Sequence, residues 1–295
     1  MVSFITVDYN GFEATCALLR SIQEHITSCQ WEVIVVDNAS KTDEAARIKE
    51  CFPWAVTIRS EKNLGFAGGN NLGIKEAKGD FLFFVNNDTE FMADGVDSLC
   101  RVFSDFPDCG MVCPKVKFFN DKSLIQYAGY TPMKQVRMRN DMIGYGKTDD
   151  GSYETPGVTS FPHGAAMMVS RKALDNVGLM PECYFLYYEE LDWGSHFIRN
   201  GWTIRYEPKC TIYHKDSLTT GANSPLKTFY MYRGRQIFAY RNFKGLNRIC
   251  SIAFTRLFAV PKHAVSGLLH GKPALAKAAV RANIDFIRMC IRKEI

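Results

Sequence analysis

The sequence predicts an α/β fold: a mostly parallel central sheet with helices on both faces, followed by a C-terminal segment that is helical throughout. Three observations lead there. Apolar runs of strand length alternate with helix-length stretches through the first 120 residues. These runs are nearly continuous, as in Phe81-Leu82-Phe83-Phe84-Val85, which is how strands covered on both faces read. Beyond Pro225 the strand patterns stop and only helical spacing remains. With 295 residues, 46% hydrophobic and 13% aromatic, the chain has material for a sizeable core. It divides into a sheet-containing region over 1–225 and a helical region over 226–295.

Taken in order, Val2 to Val7 reads as a strand, Glu13 to His25 as a helix, Trp31 to Val36 as a strand and Thr42 to Cys51 as a helix. Val56 to Ile58 is a third strand, Gly69 to Ala77 a helix, Phe81 to Val85 a fourth strand and Ala93 to Phe106 a helix. Residues 120–160 are polar and rich in turn formers; they are expected to pass over the site and shape its specificity. Order returns with a strand at Gly164 to Val169, a helix from Arg171, and strand-like stretches at Thr203 to Tyr206 and Thr211 to Tyr213.

Composition favours a cytoplasmic globular enzyme over the special classes. Ten cysteines are scattered without paired short spacings; Cys109 and Cys113 come nearest, and nothing downstream completes a zinc quartet. All ten are read as reduced thiols. The N-terminus enters a strand without the basic and apolar segments of a signal peptide, and no run reaches the ~20 apolar residues of a membrane span. The net charge of +5 hides an asymmetry. From Lys227 to Ile295, fourteen Lys or Arg face only Asp285 and Glu294, so this end carries +12 and the rest −7. Such a tail favours an anionic partner.

Residues able to do chemistry gather at the predicted strand ends, where open α/β sheets bind ligands. Strand one passes through Thr6 into Asp8-Tyr9-Asn10, and strand two into Asp37-Asn38-Ala39-Ser40. A carboxylate at Asp37 can accept the imide N–H of uracil or thymine while Tyr9 stacks on the base; Asp37 and Ser40 equally suit capping of the next helix. The stretch Asn63-Leu64-Gly65-Phe66-Ala67-Gly68-Gly69-Asn70-Asn71 crowds three glycines and three asparagines before a helix. Glycine admits close backbone approach, and asparagine can bond a ribose or base edge. Neither a Walker loop nor a G-x-G-x-x-G fingerprint is present. The fourth strand empties into Asn86-Asn87-Asp88, and a hundred residues later come Glu189-Glu190-Leu191-Asp192 and then His214. Carboxylate, amide and imidazole together suggest a divalent cation site with a base beside it. The acids at 189–192 equally suit a helix start, whose positive end they complement.

In this order, Asp8-Tyr9-Asn10, Val-Val-Asp-Asn-Ala-Ser at 35–40, Asn-Leu-Gly-Phe-Ala-Gly-Gly-Asn at 63–70, Asn-Asn-Asp at 86–88 and Tyr-Glu-Glu-Leu-Asp-Trp at 188–193 resemble the family 2 glycosyltransferases of the GT-A fold, a Rossmann-like sheet. Within that family they are most similar to the bacterial rhamnosyltransferase-like branch. The resemblance covers about residues 1–245. It implies a nucleotide-diphosphate sugar donor carried on dTDP or UDP, a Mn2+ or Mg2+ cofactor and inversion at the anomeric carbon. It also implies roles: Asp88 and His214 as metal ligands with Asn86, which stands where the family has Asp; and Glu190 as the base, with Asp192 the runner-up. The donor would be held by Thr6, Asp8, Tyr9, Asn10, Asp37, Asn38, Asn63, Gly65, Phe66, Asn70 and Asn87. The leading expectation is rhamnose transfer from dTDP-rhamnose to a glycan or polyprenyl-pyrophosphate-linked acceptor. A UDP-sugar transferase of the same family, a sugar-nucleotide nucleotidyltransferase and a non-catalytic glycan- or membrane-binding protein are the alternatives.

The basic tail carries two readings. In 273–293, Val280, Ile284, Ile287 and Ile291 form one helical stripe and Lys277, Arg281, Arg288 and Arg292 an adjoining one. That arrangement suits a helix lying on an anionic membrane, at the inner face of the plasma membrane, with Phe254, Leu257 and Phe258 adding to it. It equally suits a helical pack or homodimer contact with a solvated basic face. No nucleic-acid-binding module accompanies the charge.

Overall fold

A computed structural model describes residues 1–215 and 224–295. The first half alternates as expected: β1 (Val2–Asp8), α1 (Phe12–His25), β2 (Trp31–Asp37), α2 (Glu44–Cys51), β3 (Val56–Arg59), α3 (Gly65–Glu76) and β4 (Phe81–Val85). There follow β5 (Thr89–Phe91), α4 (Val96–Asp105), β6 (Cys109–Phe118), β7 (Ile125–Tyr127), β8 (Gly157–Val158), β9 (Ala166–Ser170), α5 (Arg171–Val177), α6 (Glu189–Arg199) and β10 (Thr203–His214). The described remainder is helical: α7 (Pro225–Asn242), α8 (Gly245–Phe254), a π-helical turn (Thr255–Ala259), α9 (Val260–Leu269) and α10 (Pro273–Arg292).

The strands form one sheet in the order β3-β2-β1-β4-β9-β6-β10-β5, with β7 beside β6 and β8 beside β10. Strands β3, β2, β1 and β4 run parallel; β9 is antiparallel to both β4 and β6, and β10 is parallel to β6. The mostly parallel sheet is therefore interrupted by β9, a reversal that the apolar pattern alone does not show. Strand β6 has no counterpart in the sequence pattern, because Pro114 and two lysines break its apolar run. Its Lys115 is nonetheless buried, paired with Asp149 at 3.2 Å. The stretches at 203–206 and 211–213 are a single strand, β10, carrying a register shift between Glu207 and Thr211.

Helix α3 begins at Gly65, four residues before the expected Gly69, so the glycines belong to a helix and not to a loop. They bring it close to the sheet. A Cβ at Gly73 would lie 2.5 Å from a methyl of Ile5 on β1, and one at Gly69 would lie 2.9 Å from both methyls of Val7.

Two apolar cores result. One fills the sheet faces; the other joins Tyr184, Tyr188 and Leu191 around the start of α6 to Ile237, Phe238 and Phe243 of α7 and its end, Phe286 and Met289 of α10, and Met138 and Phe161. The second core spans the sequence cut at 225. Residues 120–160 pack toward it, with Arg235 bonded to the Arg137 carbonyl and Ser251 Oγ donating to the Gln135 carbonyl at 2.9 Å. Asp192 ties the two regions together: fully buried, it accepts from Arg241 Nε and Asn242 Nδ2, both at 2.6 Å. The ten thiols are all free. Among the described residues no helix is long and apolar enough to cross a membrane.

Two stability measurements check this packing. Alanine at Gly73 improves helix propensity by about 1 kcal/mol, but overpacking against Ile5 costs about 1–3 kcal/mol. Gly73→Ala is therefore expected to be net destabilising in urea unfolding; a stabilised variant would contradict the close helix–sheet contact. Asp192→Asn leaves Arg241 without its carboxylate and is expected to cost about 2–4 kcal/mol in the same assay.

Candidate functional site

The C-terminal ends of β1, β2 and β4 lie along one edge of the sheet, Asp8 beside Asp37 in register. A cavity of about 300 Å³ opens over this edge. Its walls include Tyr9, Asn38, Asn63, Gly65, Phe66, Asn70, Asn86, Asn87, Asp88 and His214, which brings together ten of the sequence-predicted site residues from five chain segments. Thr6, Asp8, Asn10, Asp37, Glu190 and Asp192 lie outside its walls.

The Asn86-Asn87-Asp88 turn is pinned at every residue. Asn86 N–H donates to the Ala165 carbonyl at 2.9 Å, and the Asn86 carbonyl accepts from Thr89 Oγ1 at 2.6 Å. The Asn87 amide donates to Asp8 Oδ1 at 3.2 Å and to Thr15 Oγ1 at 3.1 Å. Asp8 is thus a brace for the turn. Burial, with neighbouring Glu44, raises its carboxyl to about 7. Strand pairing supplies the next piece: β10 runs antiparallel to β5, His214 opposite Thr89, and Lys215 N–H donates to the Asp88 carbonyl at 3.0 Å.

This places His214 Nε2 3.1 Å from Asp88 Oδ1. Gln126 Oε1 lies 2.9 Å from His214 Nδ1; in the tautomer that carries its proton on Nδ1, Gln126 accepts it and the Nε2 lone pair faces the carboxylate. Two facing acceptors need a proton or a cation between them. Their separation is that of adjacent ligands on an octahedral ion with bonds of about 2.1 Å. Buried carboxylate, imidazole and an amide-rich turn are a donor set that fits Mn2+ or Mg2+. Among the described residues no third His, Cys, Asp or Glu joins the pair, so further positions fall to amide oxygen, water or a ligand's phosphate. Gln126, on β7, is a site residue that sequence reasoning missed, the single contribution of the 120–160 segment to this constellation. No residue of that segment lines the cavity, contrary to expectation. The motif around His214 continues through Asp216 to Gly221, which lie outside the described residues.

The asparagines hold loops. Asn38 Nδ2 donates to Asn63 Oδ1 at 3.1 Å and to the Gly65 carbonyl at 2.9 Å, and its Oδ1 accepts from Leu64 N–H at 2.9 Å. Asn70 Nδ2 donates to the Phe66 carbonyl at 3.0 Å, and Asn10 Oδ1 accepts from Lys41 N–H at 2.9 Å. Asp37 corrects the base-reading expectation: fully buried, it accepts from Ser40, Glu44 and Ala45 N–H groups and from Arg59 at 2.9 Å, so it serves the first amides of α2, whose N-cap is Asp43. Thr6 is also fully buried, beneath the edge.

The acidic motif sits at the start of α6 behind an unusual turn. Phe185, Tyr187 and Tyr188 all have positive φ, 69°, 66° and 77°. Phe185, Leu186 and Tyr187 line the cavity, as do Leu226 and Lys227 in the first turn of α7; no motif marked these five. Glu190 is placed beside Gly164, where a Cβ would meet its carboxyl at 3.7 Å, one residue from the Ala165 that holds Asn86. Burial raises the Glu190 carboxyl to about 7, against backbone N–H groups that pull it down, and its Oε2 has no hydrogen-bond partner. Glu189 is pushed well above the carboxylate range by burial and by Glu190. Asp192 is corrected from runner-up base to structural anchor, since both its oxygens are taken by α7.

A model of glycosyl transferase family 2 matches residues 3–178. A low-salt glycan biosynthesis hexosyltransferase, Agl10, of Haloferax volcanii is 24% identical over 65% of this chain and 59% of its own length. An N-acetylglucosaminyl-diphospho-decaprenol L-rhamnosyltransferase of Mycobacterium tuberculosis is 23% identical over 64% of this chain and 68% of its own. An uncharacterized glycosyltransferase of Haemophilus influenzae is 34% identical over 38% of this chain, which spans 37% of that relative's length. The fold is similar to that of the mannosyltransferase PcManGT from Pyrobaculum calidifontis in complex with GDP-Man and Mn2+, with TM-score 0.59, 17% identity and coverage of 96% of this chain and 86% of that one. It is similar also to GalNAc-T7 with UDP, GalNAc and Mn2+, with TM-score 0.62, 13% identity and coverage of 89% and 57%. The sheet is that of a GT-A transferase, and the chain belongs to glycosyl transferase family 2.

Proposed function

We propose that this enzyme is an inverting, divalent-cation-dependent transferase that moves a sugar from a dTDP or UDP carrier to a hydroxyl of a glycan or polyprenyl-pyrophosphate-linked acceptor. Rhamnose is the leading sugar, supported by the name of the mycobacterial relative. The observation that carries the proposal is the Asp88–His214 pair, brought together on the cavity wall from sequence positions 126 residues apart.

The chain's residues divide the work. Tyr9 and Phe66 offer ring faces to a nucleobase in the cavity. Asp88 and His214 would hold the cation, whose charge would offset that developing on the departing diphosphate. Lys227, in the first turn of an 18-residue helix, brings a second positive charge and the helix's positive end to the same cavity. The acceptor oxygen attacks the anomeric carbon as the carbon–oxygen bond to the diphosphate breaks, and the acceptor's proton passes to a Glu190 carboxylate oxygen. A carboxyl near 7 suits that task, being half ionised at neutral pH and a stronger base than an ordinary glutamate.

Turnover of a panel of dTDP- and UDP-sugars with Mn2+ tests the assignment. Asp88→Ala is expected to lower transfer by roughly 100-fold. A variant with wild-type transfer would remove Asp88 from the metal site. For Glu190, transfer is expected to fall as pH drops through about 7, because the base must be ionised. Glu190→Gln loses transfer at every pH, and a rate limb that persists in this variant would assign the titration elsewhere. Stability gives an independent sign: a raised folded-state pKa disfavours the folded protein as pH rises from the usual glutamate value toward 7. Glu190→Gln is accordingly expected to melt above wild type at pH 8 but not at pH 5.

A further inference from the structure

Helix α8, the π-helical turn and α9 form one uninterrupted helix over residues 245–269. Toward the domain it turns Ser251, Thr255, Val260 and Gly267, all buried. Toward the outside it turns Leu246, Ile249, Leu257, Val265 and Leu268, which are between 55% and 78% exposed and follow one another at three- or eight-residue steps. The π turn, with its wider hydrogen-bonded ring, sets back the helical phase and brings the stripes of α8 and α9 toward one line. Large aliphatic side chains in such a row do not face water without a partner. Helix α10, packed against α9, repeats the pattern, with Val280, Ile284 and Ile291 exposed among Lys277, Arg281 and Arg288.

Charge selects the partner. Between Asp216 and Asp285 the sequence holds eleven Lys or Arg and no Asp or Glu. Lys244, Arg248, Arg256, Lys262 and Lys272 accompany the apolar row, and among the described residues none of them pairs with a carboxylate. A symmetric contact with a second copy would press this surface against itself and set cation against cation. Nucleic acid would satisfy the charge and leave the leucines in water. We infer that helix 245–269 lies in the headgroup region of an anionic bilayer, its aliphatic row turned to the acyl chains and its basic side chains to lipid phosphates.

The geometry also relates the bilayer to the cavity. Tyr232 of α7 donates to the Ala259 carbonyl at 3.5 Å and packs its ring on His263 at 5.3 Å, while Lys227 of the same helix lines the cavity. The five-residue step between them rises about 8 Å. Docking therefore holds the cavity close to the headgroups, where a lipid-linked acceptor presents its hydroxyl. The membrane inference does not depend on the donor assignment, and its readout is separate from nucleotide binding.

The test is co-sedimentation of the full chain with phosphatidylcholine vesicles, with and without phosphatidylglycerol. Wild type is expected to bind only the anionic vesicles, and less at high salt. The triple variant Leu246→Ser, Leu257→Ser, Leu268→Ser is expected to lose affinity by at least about tenfold with an unchanged melting temperature. Charge reversal by Lys262→Glu and Lys272→Glu, at exposed positions, is expected to do the same. Wild type that ignores anionic vesicles overturns the inference, as does a triple variant that binds them like wild type. A wild-type dimer that the leucine variant splits, with no vesicle binding, overturns it in favour of a second copy.

Discussion

The contact on which the site depends is the hydrogen bond from Phe66 N–H to the Phe185 carbonyl, 2.9 Å long. Gly65 makes it attainable: its φ is +72°, and a Cβ there would lie 2.1 Å from that same carbonyl oxygen. On one side the bond holds the start of α3 and the asparagine braces of the cavity; on the other it holds the turn that launches Glu189 and Glu190. The turn is held from its far side as well. Helix α7 approaches at Gly234, where a Cβ would be 3.0 Å from the Tyr187 carbonyl, and Tyr230 stacks on Phe185 at 5.0 Å. Three positive-φ residues within four positions cost about 1–3 kcal/mol each. Burial of Tyr184 and Tyr188 in the second core, and the Asp192–Arg241 pair, offset that strain. The C-terminal helices are thus structural supports of the acidic motif.

Such an arrangement explains a division of labour among chemically similar residues. Asp8, Asp37, Asp88 and Asp192 are all buried, yet only Asp88 faces the cavity. The other three are spent on internal donors: the Asn87 brace, the first amides of α2 and the α7 anchor. Burial acts differently on Glu190, whose Oε2 has no partner. A buried oxygen left unbonded costs stability, and it persists where ionisation near neutrality is useful. His163, also buried, is pushed down to about 3 by burial and by His214, so it is neutral where it packs near that ring.

Much of this was legible in the residues. The parallel half of the sheet announces itself because strands buried on both faces are apolar throughout, and its polar strand ends mark the binding edge. What one sequence leaves open is which side chain a polar residue will meet. In the sequence Asp37 suits both base reading and helix capping, and only the position of Arg59 and the α2 amides separates them. Asp192 has the same spacing whether it faces a substrate or Arg241. Strand β6 escaped because Lys115 and Lys117 interrupt its apolar run; their carboxylate partner, Asp149, lies more than thirty residues away. Gln126 and Lys227 carry no motif. A signal for Lys227 does exist, in Ser224-Pro225 as a helix start just after the segment that follows His214, since a helix beginning there presents its first turn to the strand edge.

Asp88 and His214 are proposed to form a cation site completed by a nucleotide diphosphate. Calorimetric titration of the wild-type chain with dTDP and with UDP, each with and without Mn2+, tests it most directly. Binding is expected to tighten markedly with Mn2+ for at least one of the two nucleotides. Equal affinity with and without the ion, or no binding of either nucleotide, would contradict it.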